Sequence, residues 1–238
     1  MVGSDTVKVG IPVSLSGQFQ VQGHQALAGL QAWVEDVNRS GGVKVGHSDA
    51  GRPLSIVYYD DASKTAQARQ ATERLITRDR VDLLFGPYSG VLALASAQVA
   101  EGHGRLLWNQ GGASDTIYQR GFKWVVGVLT PASRYLAEWL PLVRGADPNA
   151  DSLAIVRAST GAFPKAVTST VESQAARLGF RISLLREFEP SINDFSAVLD
   201  EVERVRPDLL LGVGRIQNDL LLAGQLARRE LALKGVAV

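Results

Sequence analysis

The chain has 238 residues, of which 45% are hydrophobic and 21% charged, the composition of a globular protein that buries a substantial core. Its 25 lysine and arginine residues nearly balance its 24 acidic residues, so the formal net charge is only +1, too small to attract nucleic acid or an anionic membrane surface. No apolar run reaches the roughly 18 residues that span a bilayer, and a count of 0 cysteines excludes disulfides, thiolate metal sites and thiol nucleophiles.

The first half of the chain alternates short apolar runs with longer segments of helical periodicity. The first such segment, residues 23–39, places Leu27, Leu30 and Val34 on one face. Gly41 and Gly42 end this helix, because glycine adopts the left-handed conformation at a helix C-terminus without a steric penalty. The elements predicted here are, in chain order, strand 7–13, helix 23–39, strand 54–59, helix 64–78, strand 82–85, helix 89–101, strand 105–108, helix 114–119 and strand 124–128.

The same alternation continues beyond Pro131. A capping-box pair, Ser191 and Asp194, predicts the start of a helix whose buried face carries Val198 and Val202. The elements predicted here are a helix from 131 to 143, strand 153–157, a helix ending at 178, strand 181–188, the capped helix to 205, strand 209–213, helix 217–230 and strand 235–238.

Strands separated by helices of this length need crossover connections, which predicts an α/β protein with doubly wound parallel sheets covered on both faces. Two sheets are predicted, one in a first lobe of residues 5–127 and one in a second lobe of residues 128–238. The last strand has no polar tail or cap after it, so we expect the sequence to stop inside the fold.

Loops that leave the carboxyl ends of parallel strands share one edge of the sheet, where ligands bind. Two of these loops, after strands 82–85 and 105–108, are rich in glycine and serine. Unpaired N–H groups and the positive dipole end at a helix start can hold a carboxylate. The candidate ligand-binding residues are therefore Ser89, Gly90, Gly111, Gly112, Ala113 and Ser114. The alternative is that they are ordinary turn and cap residues.

Motifs that would indicate an enzyme are incomplete. Gly212 and Gly214 follow a strand, but Gln217 stands where a dinucleotide fingerprint needs its third glycine. No phosphate-binding loop accompanies the short match to an ATPase signature at residues 15–18, and Ser89 comes one residue late for a nucleophile elbow. We expect no cofactor and no catalytic residue.

Polar residues that could bind a metal are few. The three histidines, at positions 24, 47 and 103, form no i, i+4 pair and lie near no set of carboxylates, so they are interpreted as surface residues. Asp60 and Asp61 follow a strand and fit an acid/base pair or a metal ligand, but also the capping of the next helix. We expect no metal site.

Short motifs recur in a defined order along nearly the whole chain: 10–12 with 16–17, Gly23, Gly29, Asn38, 41–43, 59–61, Ala68, Ala71, 86–89, 111–114, 119–122 and 193–196. Their order and spacing resemble the leucine/isoleucine/valine-binding (type I) family of periplasmic solute-binding proteins of ABC transporters. The resemblance implies two lobes, joined by hinge strands, that close on a ligand between them. It also implies binding without catalysis, a periplasmic or other extracytoplasmic location, and a transporter permease in the membrane as partner.

The resemblance also implies roles for particular residues. In the family the serine loop and the small-residue loop hold an α-carboxylate, which here implicates Ser89, Gly90, Gly111 and Ala113. Gln22, Phe163 and Arg215 match further cleft positions. The implied ligand is an amino acid, an amide or an aromatic acid.

Several features depart from the family pattern. Ala113 stands where amino-acid binders offer a threonine hydroxyl, so a charge-assisted hydrogen bond of roughly 1.5–3 kcal/mol is missing unless Ser114 replaces it. The serine loop is one residue shorter, and the usual acidic partner of an ammonium group would lie beyond Val238. Because the family usually runs about a third longer, a truncated chain is expected. The alternatives are a sensor domain of a receptor or amide-responsive regulator and, from another class, a doubly wound hydrolase or nucleotide-dependent enzyme.

Overall fold

The structure is a computed structural model that describes residues 6–47 and 50–238. The chain divides into two compact units, Met1–Thr130 and Pro131–Val238. The predicted start of the first lobe, residue 5, lies outside the described residues. Among the described residues, no helix is long and apolar enough to cross a membrane.

The first unit is built around a parallel five-stranded sheet. Its elements are β1 Val7–Val13, α1 Gln20–Arg39, β2 Val43–Lys44, β3 Gly51–Arg52, β4 Leu54–Asp60, α2 Thr65–Thr77, β5 Leu83–Phe85, α3 Gly90–Gly102, β6 Leu107–Asn109, α4 Asp115–Tyr118 and β7 Val125–Gly127. The strand order is β4-β1-β5-β6-β7. Because β1 pairs with β4 on one side and β5 on the other, the connections reverse direction at β1, the switch point beside which doubly wound sheets bind ligands.

The second unit has a parallel four-stranded sheet. Its elements are a 3₁₀ turn at Ala132–Arg134, α5 Trp139–Ala146, β8 Ser152–Ala158, α6 Ala162–Leu178, β9 Arg181–Phe188, α7 Ser196–Val205, β10 Leu209–Val213, α8 Ile216–Leu226 and β11 Gly235–Ala237. The order β11-β10-β8-β9 places β8 and β10 at the centre. Every residue of β10 is buried, as expected for a parallel strand covered on both faces. The predicted α/β class with parallel sheets is confirmed.

Apolar stripes predicted from the sequence form the core of the first unit. Leu27 and Val34 of α1 are each 7% exposed. Helix α3 is apolar on nearly all sides, and its Ala97 and Ala100 pack with Leu84 and Leu107 of the sheet. Because the alanine side chains that face the strands are small, α3 packs close to the sheet. The start of α3 therefore lies close to the loops at the sheet edge.

Three elements differ from the predictions. The helix expected from 131 to 143 is a 3₁₀ turn followed by α5, because Pro141 has no N–H and fits only the first turn of a helix that begins at Trp139. The capping box fails because α7 begins at Ser196, whose N–H donates to Asp194 Oδ1 at 2.9 Å, while Ser191 has no part in it. The β2–β3 ribbon was not predicted.

Two glycines of α1 provide a test of the packing around β1. A Cβ added at Gly23 would lie 1.8 Å from the Ser14 carbonyl oxygen, whereas Gly29 has open space around it. We expect Gly23→Ala to lower the free energy of unfolding by about 1–3 kcal/mol through overpacking. The control Gly29→Ala should raise it by about 0.5–1 kcal/mol. Urea unfolding followed by circular dichroism measures both, and equal stability of the two variants would contradict the close contact.

Candidate functional site

The loops that follow β1 and β4 are held together by Asp60. Its Oδ1 accepts the Leu15 N–H at 2.9 Å and the Ala62 N–H at 2.8 Å, and its Oδ2 accepts the Ser16 hydroxyl at 2.7 Å. Partial burial raises the pKa of Asp60, but the hydrogen bonds from Ser16, Ala62 and Leu15 outweigh it and hold the pKa below its ordinary value. Asp60 therefore fixes loop geometry as an ionised carboxylate.

Asp61 serves the same loops from inside the protein. It is 0% exposed, and its Oδ1 accepts the Ser14 hydroxyl at 2.6 Å and the Ser63 N–H at 2.8 Å. Burial raises its pKa, and the bonds from Ser14 and Ser63 only partly offset this. Within the described ranges, no group of three or more histidine, aspartate or glutamate side chains could hold a metal ion. The expected capping of the next helix is not found, because α2 follows Lys64 and has no side-chain cap hydrogen bond; the two carboxylates bond to the loops instead.

The serine loop after β5 has an unusual backbone at Ser89. Its φ of 77° and ψ of 144° are rare for a residue with a Cβ, a conformation that costs of order 1–3 kcal/mol and persists only where neighbours enforce it. The Ser89 N–H donates to the Gly111 carbonyl at 2.9 Å, and the Gln110 side chain donates to the Gly86 carbonyl at 2.9 Å. Ser89 immediately precedes α3, yet its hydroxyl is buried with no hydrogen-bond partner.

The loop after β6 is closed by Asn109, which is 0% exposed. Its side chain donates to the Gly112 carbonyl at 2.7 Å and accepts the Gly112 N–H at 2.9 Å. A Cβ at Gly112 would lie 2.4 Å from the Ala93 Cβ, and one at Gly90 would lie 2.5 Å from the Ser114 Cβ. The structure thus brings the two glycine-and-serine loops together, as expected of neighbouring strands.

Gln22 lies in the first turn of α1, and its Oε1 is buried with no partner. The residue before this helix, Phe19, packs edge-on against Tyr88 of the serine loop, with ring centroids 5.6 Å apart. Gln22 comes three residues after Phe19, in the first turn of α1. The start of α1 therefore adjoins Tyr88, the residue before Ser89.

Phe163 and Arg215 lie at the carboxyl edge of the second unit's own sheet. Phe163 is in the first turn of α6 and packs edge-on against Tyr135, with centroids 5.2 Å apart. Arg215 is exposed and immediately precedes α8. Since β8 and β10 pair side by side, the loops that carry these residues emerge next to each other.

Sequence reasoning missed Asp219, which lies in the first turn of α8. Burial raises its pKa to about 6, and a hydrogen bond from the Gly214 N–H offsets only part of that effect. An aspartate in a first turn is an ordinary helix signal. Nothing in the sequence distinguishes a buried one from an exposed one, so no local signal could have found it. The ring contact of Phe19 and Tyr88 was missed for the same reason.

Residues 6–238 match the family model described as "Periplasmic binding protein", and the chain belongs to this family. A curated relative, Leu/Ile/Val-binding protein homolog 8 of Brucella abortus, is 25% identical over 98% of this chain and 57% of its own length. The chain thus spans little more than half the length of that relative.

Solved structures share the fold. The branched-chain amino acid transporter substrate-binding protein LivJ of Streptococcus pneumoniae, in complex with isoleucine, has a TM-score of 0.76 at 21% identity and covers 97% of this chain and 63% of its own. A solute-binding protein of an R. palustris ABC transporter, in complex with benzoate, has a TM-score of 0.78 at 19% identity and covers 97% of this chain and 61% of its own.

The raised pKa of Asp219 predicts a pH-dependent stability that Asp219→Asn removes. The folded state prefers the protonated acid, since its pKa is about 6 against 3.8 in the ordinary case. Stability is therefore lost as pH rises from about 4 to about 6, where the unfolded chain ionises first. The amide oxygen of the introduced asparagine still accepts the Gly214 N–H. Above pH 6 the variant should therefore be more stable than the unmodified protein by about 1 kcal/mol, a value reduced to account for solvent screening of the partly exposed carboxyl.

Urea unfolding between pH 3 and pH 8 measures this difference. At pH 3 the Asp219 carboxyl is largely protonated in both the folded and the unfolded chain, because the pH lies below its ordinary pKa of 3.8, so both proteins should unfold alike, which serves as the internal control. A stability difference that stays constant across this range would show that burial of the carboxyl is not its cause.

Proposed function

We propose that the protein is the extracytoplasmic substrate-binding component of an ABC importer and that it binds a small carboxylate-bearing solute, an amino acid or related compound, without catalysing a reaction. The observation that carries the proposal is the buried Ser89 hydroxyl, which has no hydrogen-bond partner and lies at the start of α3. A solute carboxylate would accept its hydrogen bond.

The surroundings of Ser89 favour an anionic group. Helix α3 has 13 residues, and its N-terminus carries unpaired N–H groups and the positive end of the helix dipole. The absence of a Cβ at Gly90 and Gly111 lets the two loops approach each other, since an added Cβ would lie 2.5 Å from the Ser114 Cβ and 2.7 Å from the Tyr88 Cα. A hydrogen bond from Ser89 to a carboxylate contributes roughly 1.5–3 kcal/mol, which offsets the backbone strain at this residue only when a ligand is present.

The remaining proposed ligand-binding residues follow from position. Gln22, Gly112, Ala113 and Ser114 adjoin the Ser89 loop in the first unit, while Phe163 and Arg215 occupy the carboxyl edge of the second sheet. Membership of a periplasmic binding family supports the proposed location and a permease as the membrane partner.

Ser89→Ala tests the proposal. Native mass spectrometry of the purified protein and thermal shifts first identify a bound acid among isoleucine, other amino acids, amides and aromatic acids, and a ligand at a hundredfold excess over its Kd should stabilise by about 2.7 kcal/mol. The variant should then bind that acid at least tenfold more weakly by calorimetry, because the carboxylate loses a charge-assisted bond.

Ser40→Ala is the matched control, since Ser40 is an exposed residue after the far end of α1. It should leave affinity unchanged. Unaltered binding in Ser89→Ala, or no saturable binding of any acid by the unmodified protein, would contradict the proposal.

A further inference from the structure

Five buried side-chain atoms of the described residues have no hydrogen-bond partner: Gln22 Oε1, Asp61 Oδ2, Ser89 Oγ, Arg144 Nε and Gln174 Oε1. Most buried polar groups in folded proteins are paired, so each exception needs a physical explanation. Gln22 and Ser89 differ from the others because they lie at the starts of α1 and α3, the helices that follow the adjacent strands β1 and β5.

The two unpaired atoms are complementary in chemistry. A serine hydroxyl can donate, whereas an amide oxygen only accepts. The Phe19–Tyr88 ring contact, at 5.6 Å between centroids, joins the segments that carry them. A ligand that satisfies both must therefore offer a donor to Gln22, and a ligand whose carboxylate meets Ser89 offers that hydroxyl an acceptor.

We propose that Gln22 is a specificity-determining residue whose amide oxygen accepts a hydrogen bond from a hydroxyl group of the ligand, so that the protein selects hydroxy-substituted carboxylic acids. This inference rests on the proposed function, in which Ser89 takes the carboxylate. A hydroxyl fits better than an ammonium group, because a neutral amide cannot compensate a positive charge removed from water.

The side-chain environment gives Gln22 no structural role that would explain its burial. Its amide oxygen bonds to nothing in the part of the chain that the structure describes. Replacing an unpaired buried polar group by an apolar one of similar shape is neutral or stabilising, whereas replacing a paired one is destabilising. Gln22→Met, which keeps length and helix propensity, separates these cases.

The experiment measures the affinities of benzoate, 3-hydroxybenzoate, 4-hydroxybenzoate and isoleucine by calorimetry for the unmodified protein, Gln22→Met and the control Gln25→Met, which changes an exposed residue of the same helix. We expect at least one hydroxybenzoate to bind tenfold or more tightly than benzoate, because a site with an unsatisfied buried acceptor rejects an analogue without the donor. The preference should vanish in Gln22→Met alone, whose melting temperature without ligand should equal or exceed that of the unmodified protein.

The possible results distinguish failure of the proposed role of Gln22 from failure of the proposed function. No preference for a hydroxybenzoate, binding of isoleucine alone, a preference that survives Gln22→Met, or a clear fall in the melting temperature of that variant would overturn the role of Gln22 and leave the proposed function standing. Failure of the unmodified protein to bind any of these acids, or any acid of the wider panel, would instead remove the proposed function.

Discussion

The close approach of backbone at the edge of the first sheet is the constraint on which the candidate site depends. Ser89 donates its N–H to Gly111 at 2.9 Å, and Gly90 lies so near Ser114 that an added Cβ would come within 2.5 Å of the Ser114 Cβ. Glycine is the residue that permits such an approach, because it has no Cβ. The same packing therefore brings the loop after β6 against the N-terminus of α3, the helix end that favours an anion.

Several groups at this edge of the first sheet lower its local stability. Ser89 is held at a positive φ of 77°, and its hydroxyl is buried without a partner, as is the amide oxygen of Gln22. Nearby, Asp60 and Asp61 satisfy the loops after β1 and β4 with six hydrogen bonds to their carboxylate oxygens. The well-bonded loops provide a rigid frame in which the poorly bonded groups persist, an arrangement common where a protein recognises a ligand.

The sequence predicts elements well where periodicity and burial agree. The strands at 181–188 and 209–213 are found at those bounds. The second is a short apolar run, which specifies a buried parallel strand, whereas the first lies at the sheet edge and is mostly exposed. It fails where one local rule competes with another: Pro141 sets where α5 begins, and Asp194 rather than Ser191 caps α7. Alternating strands and helices indicated that the glycine-rich loops share an edge. The burial of the Gln22 amide and the Asp219 carboxyl depends on packing between distant segments, which no local pattern encodes.

The composition of the loop after β6 fits the proposed carboxylate site. Ala113 offers no hydroxyl, but the Cβ of Ser114 lies close to Gly90, at the start of the helix that Ser89 precedes. A hydroxyl moved by one residue thus stays beside the same helix N-terminus. In the proposed site the acidic end of a solute would meet backbone N–H groups and two serines, contacts common to any carboxylate. In the proposed site, discrimination among carboxylates then depends on side chains outside these loops, and the amide oxygen of Gln22, which has no hydrogen-bond partner, would contact a second polar group of the ligand.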